Sequence, residues 1–452
     1  MELDSQGEQP LHEQLERRLR DDVRAGRLAA GARLPSSRGL AAALGISRGV
    51  VSEAYGQLVA EGYLTTRQGA PVTVAGAVRS AAPPISARSL VERHAYDLRP
   101  GRPDLAGFPR DAWLRSLRAA WREAPIDAID YPDPRGLPEL RESLAGYLGR
   151  ARGAAVDPEQ TLVTTGFTQA LALVCRWLHA QGIERVGVED PGWHGHRLAI
   201  EQAGLEVVPV PVDGEGLHVG ALAASGVAAV VVTPAHQFPT GMVMSPNRRA
   251  TLVDWAEDGD RLIVEDDYDA ELRYDRTRRG ALQGLAAERV VHIGSASKRL
   301  APGLRLGWML APSWLAWPLA SAKAVEDAGS EVVSQLALRD FIERGELDRH
   351  LRRMRLRYAD RRAALLAAVA RYLPGAEAHD SSAGLFELVW LPEGADEAAL
   401  VAAAQERSVG VEGLALHSFS GQAPPGLVLG FAGMPEAALD RAVALLGEAM
   451  PS

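Results

Sequence analysis

Two folds in one chain are predicted: an all-α, hairpin-tipped N-terminal domain and a larger α/β domain with a mostly parallel sheet and a smaller C-terminal α+β subdomain. Three observations predict this. The length, 452 residues, exceeds what a single core organises. Apolar residues recur four apart up to about residue 61, whereas after residue 97 short apolar runs alternate with helical stretches. Between the two patterns, residues 76–96 are Ala, Ser, Pro and Arg without periodicity. The expected division is therefore 1–75, a linker at 76–96, and 97–452 with its subdomain at about 341–452. A flexible linker of that length spans about 25 Å on average.

The N-terminal elements follow in order. Pro10 opens a helix whose inner stripe is Leu11, Leu15, Leu19 and Val23. It stops near Gly26. Pro35-Ser36-Ser37 starts a second, two-turn helix at about Ser37–Leu44, with a serine as N-cap. Gly45 supplies a turn, Ser47 caps a third helix running to about Glu61, and Val50 or Val51, Ala54 and Leu58 form its inner stripe. Gly62-Tyr63-Leu64, a turn at Thr65–Gly69 and Val72-Thr73-Val74 complete a hairpin. Two short helices around a glycine turn, followed by a hairpin, make the winged helix-turn-helix pattern.

The string from Pro10 to Leu64, which opens PLHEQL and ends AGRLAAGARLPSSRGLAAALGISRGVVSEAYGQLVAEGYL, resembles the GntR family of DNA-binding domains over about 65 residues. The resemblance implies contacts to phosphates and base edges from Ser36, Arg38, Ser47, Arg48, Ser52 and Arg67. Charge adds little, because residues 10–74 hold nine basic and six acidic side chains. The wing departs from the family: it reads Arg67-Gln-Gly-Ala-Pro-Val-Thr-Val74 where a Gly-Ser-Gly-Thr turn is usual.

Composition excludes several classes. A net charge of −9 gives no global attraction to nucleic acid, so any DNA contact must be local. One cysteine, Cys175, leaves no internal disulfide and no thiolate zinc cluster, and its helical apolar surroundings suit an inert core residue. The longest clean apolar run, Val227–Val232, is far short of a membrane span, and the polar, acidic start lacks a signal peptide. A cytoplasmic protein is expected, with no metal site.

Lysine is the most informative residue of the larger domain. Of 49 basic side chains only Lys298 and Lys323 are lysines. Arginine replaces lysine in surface ion pairs, but its permanently charged guanidinium cannot condense with an aldehyde. Lys298 closes Gly294-Ser-Ala-Ser-Lys298, directly after the apolar run Val290–Ile293. Lys323 sits in an Ala-rich helical stretch beside Glu326 and Asp327, and is expected to be a solvated surface charge.

Strands are expected at Arg185–Glu189, Val227–Thr233, Arg261–Glu265, Val290–Gly294 and Leu306–Ala311. Open α/β sheets bind ligands at the carboxyl ends of their strands, and a cofactor pocket assembles from those ends. Gly166, Phe167 and Thr168 begin a helix whose free N–H groups can receive a phosphate. Trp193 offers a flat face for a pyridine ring. Asp266 can pair with the ring nitrogen and keep it protonated, and Tyr268 can hydrogen-bond the ring hydroxyl. Ser295, Ser297 and Arg305 complete a phosphate cradle. Singly each could be packing; together, in this order, they point to pyridoxal phosphate (PLP) held on Lys298.

Tyr131–Gly136 (YPDPRG), Val163–Ala170 (VTTGFTQA), Val188–Gly192 (VEDPG), Thr233–Gly241 (TPAHQFPTG), Val264–Tyr268 (VEDDY) and Ser295–Lys298 (SASK) resemble the fold-type I, PLP-dependent aminotransferase domain. Joined to a GntR-type head, this body is similar to the MocR/GabR family of PLP-dependent transcriptional regulators, over nearly the whole chain. The resemblance implies a homodimer whose active sites draw on both subunits, with the head of one subunit on the body of the other.

The substrate side departs from the enzyme pattern. Aminotransferases hold the substrate α-carboxylate with an arginine on a late strand, whose place is taken here by Val428 in Gly426–Ala432. Regulators that sense amino acids add an arginine two residues past the stacking aromatic, and here that position is Gly195, with Arg197 nearby. The asparagine of the usual Asn-Pro-Thr-Gly turn is replaced by Phe238, after His236-Gln237. These losses favour a PLP-holding sensor, responding to PLP or to an amine without the usual carboxylate contact, over efficient transamination. The alternatives are a working aminotransferase with an accessory head and a scaffold that no longer binds PLP, the latter opposed by Lys298.

Overall fold

The structure, a computed structural model, describes residues 3–4, 9–66, 70–75, 94–275, 279–379, 381 and 383–450. The chain divides into two compact units, Met1–Glu92 and Arg93–Ser452. Arg67 and most of the expected linker lie outside the described residues.

In the first unit α1 (Leu11–Arg24), α2 (Ser37–Leu44) and α3 (Arg48–Ala60) precede an antiparallel pair, β1 (Leu64–Thr65) and β2 (Thr73–Val74). Leu15, Leu19 and Val23 of α1 close on Ala41 of α2 and on Val51, Ala54, Tyr55 and Leu58 of α3. Leu11 is only half-buried, and Val51 rather than Val50 faces inward. The caps follow the sequence. Ser36 Oγ accepts from the Gly39 N–H at 3.1 Å and Ser47 Oγ from the Val50 N–H at 3.3 Å. Gly45 ends α2 in the left-handed conformation, φ 67°, that sets α3 across α2.

In the second unit β3 (Tyr96–Asp97) is followed by the eight strands of a large sheet: β4 (Thr161–Thr164), β5 (Arg185–Asp190), β6 (Glu206–Asp213), β7 (Gly216–Leu217), β8 (Ala229–Val232), β9 (Leu262–Asp267), β10 (Val290–Ser295) and β11 (Gly307–Leu310). Their order is β4-β11-β10-β9-β8-β5-β6-β7. Neighbours from β10 to β6 are parallel, while β11 runs antiparallel to both β10 and β4 and β7 is the return of a hairpin from β6. Alternation along the strands buries both faces. Val231, Val264 and Ile293 join Leu171, Val174 and Ile200 on one side. Val230, Val232 and Ile263 join Leu252 and Trp255 on the other. Each such side chain contributes about 1.5–3 kcal/mol on burial, which is why these strands are continuous apolar runs.

A second sheet follows the long helix Glu346–Tyr372: β12 (Glu377–Ala378), β13 (Phe386–Trp390), β14 (Val409–Gly410), β15 (Glu412–Gly413) and β16 (Gly426–Gly430). Four of these form an antiparallel sheet in the order β12-β13-β16-β15, and β14 pairs with β3 instead. No helix among the described residues is long and apolar enough to cross a membrane.

Lys323 corrects the sequence expectation. It is fully buried in the helix Ser313–Asp327, with Nζ 3.1 Å and 3.0 Å from the two Asp327 carboxylate oxygens one turn on. That carboxylate also accepts from Gln169 Nε2 and the Gly329 N–H, at 2.8 and 2.9 Å. A lysine with its stem among Leu315, Leu319 and Ala320 can end on a partner one turn away, so helix-face polarity alone misplaces it.

Candidate cofactor pocket and DNA-reading helix

On the first unit, Ser36, Arg38, Ser47, Arg48 and Ser52 are all exposed and cluster at the amino-terminal turns of α2 and α3. Arg48 Nε lies 3.4 Å from Ser37 Oγ, tying the start of α3 to α2. The two capping hydroxyls keep their own protons for an acceptor beyond the helix. A helix amino terminus flanked by arginine suits a phosphate.

In the second unit a cavity of about 280 Å³ opens where β9, β10 and the helix Phe167–Ala180 meet. Size does not single it out, since another cavity, beside Asp213, Met242 and Trp390, is about 480 Å³. What distinguishes it is convergence: Phe167, Thr168, Trp193, Asp266, Tyr268, Ser295, Ser297, Lys298 and Arg305 all line it.

Part of the lining is set by backbone geometry. Gly166 caps the Phe167–Ala180 helix at φ 124°, and a Cβ there would come within 3.4 Å of the Arg305 guanidinium. Arg305 itself is left-handed at φ 51°, a conformation that costs a non-glycine residue about 1–3 kcal/mol. The guanidinium thus lies beside Gly166, at the start of that helix. Ser295 Oγ accepts from the Ser297 N–H at 3.4 Å, at the start of the short helix Ala296–Arg299 that carries Lys298. Lys298 Nζ donates to the Gly101 carbonyl at 2.5 Å, and a Cβ on Gly101 (φ 80°) would sit 2.8 Å from that nitrogen. Burial holds the Lys298 amine below its ordinary pKa, against the opposing pull of Asp266, Asp269 and Glu412.

Strand β9 ends in three consecutive buried acids. Glu265 accepts from the Leu282 and Gln283 N–H groups and contacts His292 Nδ1 at 3.1 Å. Asp267 is gripped by Arg152 at 2.8 and 3.2 Å, with Arg299 at 3.5 Å. Asp266 points the other way, where its Oδ2 contacts His196 Nε2 at 3.0 Å and its Oδ1 is buried without a hydrogen-bond partner. Burial pushes the Asp266 pKa up despite His196. A buried carboxylate oxygen with no donor is unfavourable by about 1–3 kcal/mol unless a further group meets it, and this one borders the cavity. The Tyr268 hydroxyl donates to the His236 carbonyl at 2.8 Å and lies 3.0 Å from His236 Nδ1. Burial and the nearby Asp269 push it far up in pKa, so it stays protonated.

The rest of the lining is different. Phe238, Leu385, Phe386 and Pro100 form an apolar wall, and Glu412 and His194 close it. Val428 is fully buried, packed with Phe238, Phe386, Leu388 and Leu414, and stands opposite Glu412 in the β15–β16 register. At Gly195 an added Cβ would fall 2.4–2.6 Å from the Trp193 indole, so the placement of that ring leaves no room for an arginine. Arg197 does not replace it: exposed, it pairs with Glu201 at 2.8 Å. Arg102, close enough to act on the Lys298 charge, is paired with Asp97 at 2.8 Å.

Sequence reading missed His194, His196, Gly101, Phe386 and Glu412. The histidines flank Gly195 and were within reach of inspection. Gly101 and Glu412 approach Lys298 only through the fold, from 197 residues before it in one case.

Residues 106–446 match the family "Aminotransferase class I and II", and residues 11–74 match "Bacterial regulatory proteins, gntR family". The chain is 33% identical to the probable rhizopine catabolism regulatory protein MocR of Rhizobium meliloti, over 96% of this chain and 92% of that one. It is 34% identical to the HTH-type pyridoxine biosynthesis transcriptional regulator PdxR of Corynebacterium glutamicum, over 97% and 95%. The kynurenine aminotransferase of Pyrococcus horikoshii, solved in complex with PMP, superposes with a TM-score of 0.72 at 26% identity, covering 79% of this chain and 91% of that one. With a gntR-type winged helix ahead of a fold-type I, PLP-binding aminotransferase body, the chain belongs to the MocR-type family of DNA-binding transcriptional regulators.

Proposed function

We propose that this regulator holds PLP as a sensor, with little or no turnover of α-amino acids. One observation carries the reading: the cavity keeps the groups that would face a cofactor, while its far wall is Phe238, Leu385, Phe386 and Glu412, and Arg305 is the one arginine among the described residues lining it.

When bound, PLP supplies an aldehyde and an electron-withdrawing ring. In this reading Lys298 is the amine that captures it, and Gly101 aims that amine. Asp266 Oδ1 would hold the ring nitrogen while His196 steadies the other oxygen. Trp193 would cover the ring, and Tyr268 would offer its oxygen to the ring hydroxyl. Arg305, Ser295, Ser297 and the N–H groups of Gly166, Phe167 and Thr168 hold the phosphate. Transamination also needs the substrate carboxylate fixed so that its Cα–H bond stands perpendicular to the ring. Neither Val428 nor Gly195 can grip a carboxylate. The effector is PLP itself or an amine, and the working form is a head-to-tail homodimer in the cytoplasm.

The test combines two measurements. A panel of amino acids with a keto-acid acceptor should yield no turnover at ordinary enzyme rates, on the order of 1–10³ per second. Adding PLP or one particular amine should change affinity for operator DNA. Rapid turnover would instead establish the enzyme with an accessory head.

The DNA contacts are tested separately. Arg48, at the start of α3, should reach base edges, so Arg48→Ala should weaken specific binding by about 1–3 kcal/mol and relax its specificity. Arg38→Ala should weaken all sequences alike and flatten the salt dependence. Equal losses on specific and random DNA for Arg48→Ala would count against base readout.

A further inference from the structure

We propose that His194, Glu412 and His417 bind a zinc-type divalent metal ion at the edge of the cofactor cavity. One ligand atom from each of the three lies within 4.8 Å of the other two. His417 Nε2 stands 3.2 Å from Glu412 Oε2, close to the roughly 3.3 Å edge of a tetrahedron with 2.0–2.1 Å zinc bonds. With all three ligand atoms within 4.8 Å of one another, a shift of at most about 1.5 Å closes the triangle to that size. Two imidazoles and a carboxylate form a donor set suited to zinc.

A second observation points to a ligand independently. His417 is fully buried, yet neither of its ring nitrogens has a hydrogen-bond partner, and His194 Nδ1 is likewise buried and unpartnered. The Glu412 carboxylate stands beside His417 Nε2 without being aligned as its acceptor. Buried imidazole nitrogens left unmet are unfavourable, and a cation between the three groups would satisfy them.

The site is also built. Phe419 and Ser420 donate their N–H groups to the Asp190 carboxylate at 2.8 and 3.1 Å, and the Gly192 N–H donates to the His417 carbonyl at 2.9 Å. These bonds fasten the segment bearing His417 to the segment bearing His194. Packing of the His194 and His417 rings, centroids 5.4 Å apart, holds the pair in register.

His194 and Glu412 also line the cavity with Lys298, so an open coordination position would face the ligand. There the metal would take a carboxylate oxygen, replacing the absent arginine. This last step rests on the sensor reading, whereas metal binding itself does not.

The experiment uses the full-length, untagged, PLP-loaded protein titrated with Co²⁺ alone and then Zn²⁺. The expected result is about one Co²⁺ per chain, with the visible d–d bands of a tetrahedral site, bleached when Zn²⁺ displaces it. His417→Ala should abolish the bands, and His194→Ala and Glu412→Gln should each weaken Co²⁺ binding at least tenfold. Circular dichroism checks folding; if His417→Ala does not fold, His194→Ala and Glu412→Gln decide the outcome. Absence of stoichiometric binding, or binding unchanged in His194→Ala and Glu412→Gln, overturns the proposal. Neither result bears on whether the protein turns over amino acids or responds to an amine, so the sensor reading stands or falls separately.

Discussion

The two halves of the cavity have been shaped by opposite demands. On the β9–β10 side, charge and backbone irregularity converge: a left-handed Arg305, a glycine cap at 166, a lysine aimed by Gly101, and an acid with one unmet oxygen. Elsewhere in the lining the arginine position is Val428, sealed in an apolar cluster, and the polar groups are Glu412 and His194. In the proposed reading, one cavity has the means to hold a cofactor and lacks the means to grip an amino-acid carboxylate. Binding and turnover need different residues, and here they separate by wall.

The sharpest way to break this contrast is at Lys298. Lys298→Ala should remove the visible PLP band entirely, whereas Lys323→Ala should keep it. Lys323→Ala should instead lower stability by about 1–3 kcal/mol in denaturant titration, since it takes one partner from a buried pair. Loss of the band with Lys323→Ala would invalidate the assignment.

The next largest effect belongs to Asp266. Asp266→Asn keeps shape but not charge, and equilibrium dialysis should show PLP affinity reduced by about 1.5–3 kcal/mol. Unaltered affinity would mean that the unmet oxygen does not face the ring. At the edge between the halves, Gly195→Ala forces the Trp193 indole to move. Weakening of PLP binding by about 1–3 kcal/mol is expected from overpacking alone, and no weakening would show that the indole is not a cofactor wall.

On the far wall, Phe238→Leu should leave PLP affinity within about threefold, under 1 kcal/mol, while changing which amines perturb the visible band. A large loss of PLP would erase the distinction between the walls. The smallest effect is in pH. The Lys298 pKa lies below that of free lysine, so the neutral, nucleophilic amine should appear as pH rises through that lowered value. The rate of PLP capture should therefore reach its midpoint below pH 10.5; a midpoint at or above it contradicts the buried-amine picture.

How much of this was legible before folding depended on range. Elements set by local pattern were readable: helix α1, the serine-capped helices α2 and α3, and the apolar strands β5, β8, β9 and β10. Strand β6 was not, because Glu206–Asp213 carries Pro209 and Pro211 and alternates in burial near the sheet edge. The cofactor wall was readable because its residues sit at strand ends in one order. Leu385, Phe386 and Glu412 reach the cavity from in or beside the second sheet, and nothing near Glu412 or His417 in sequence announces that they meet His194. Lys323 shows the same limit: its partner is one turn away, but its burial is decided by packing on another helix.

The three acids at the end of β9 have different reasons to persist. Glu265 and Asp267 are held by protein groups, namely backbone N–H donors, His292, Arg152 and Arg299, and would be needed in any chain with this fold. Asp266, its other oxygen unmet, has a reason to remain only while something occupies the cavity. In a lineage that abandoned PLP, drift would begin at 266 and 298 and spare 265 and 267. Adjacent residues of one strand are thus fixed by different things, 265 and 267 by the protein around them and 266 at one oxygen only, its other oxygen turned to the cavity.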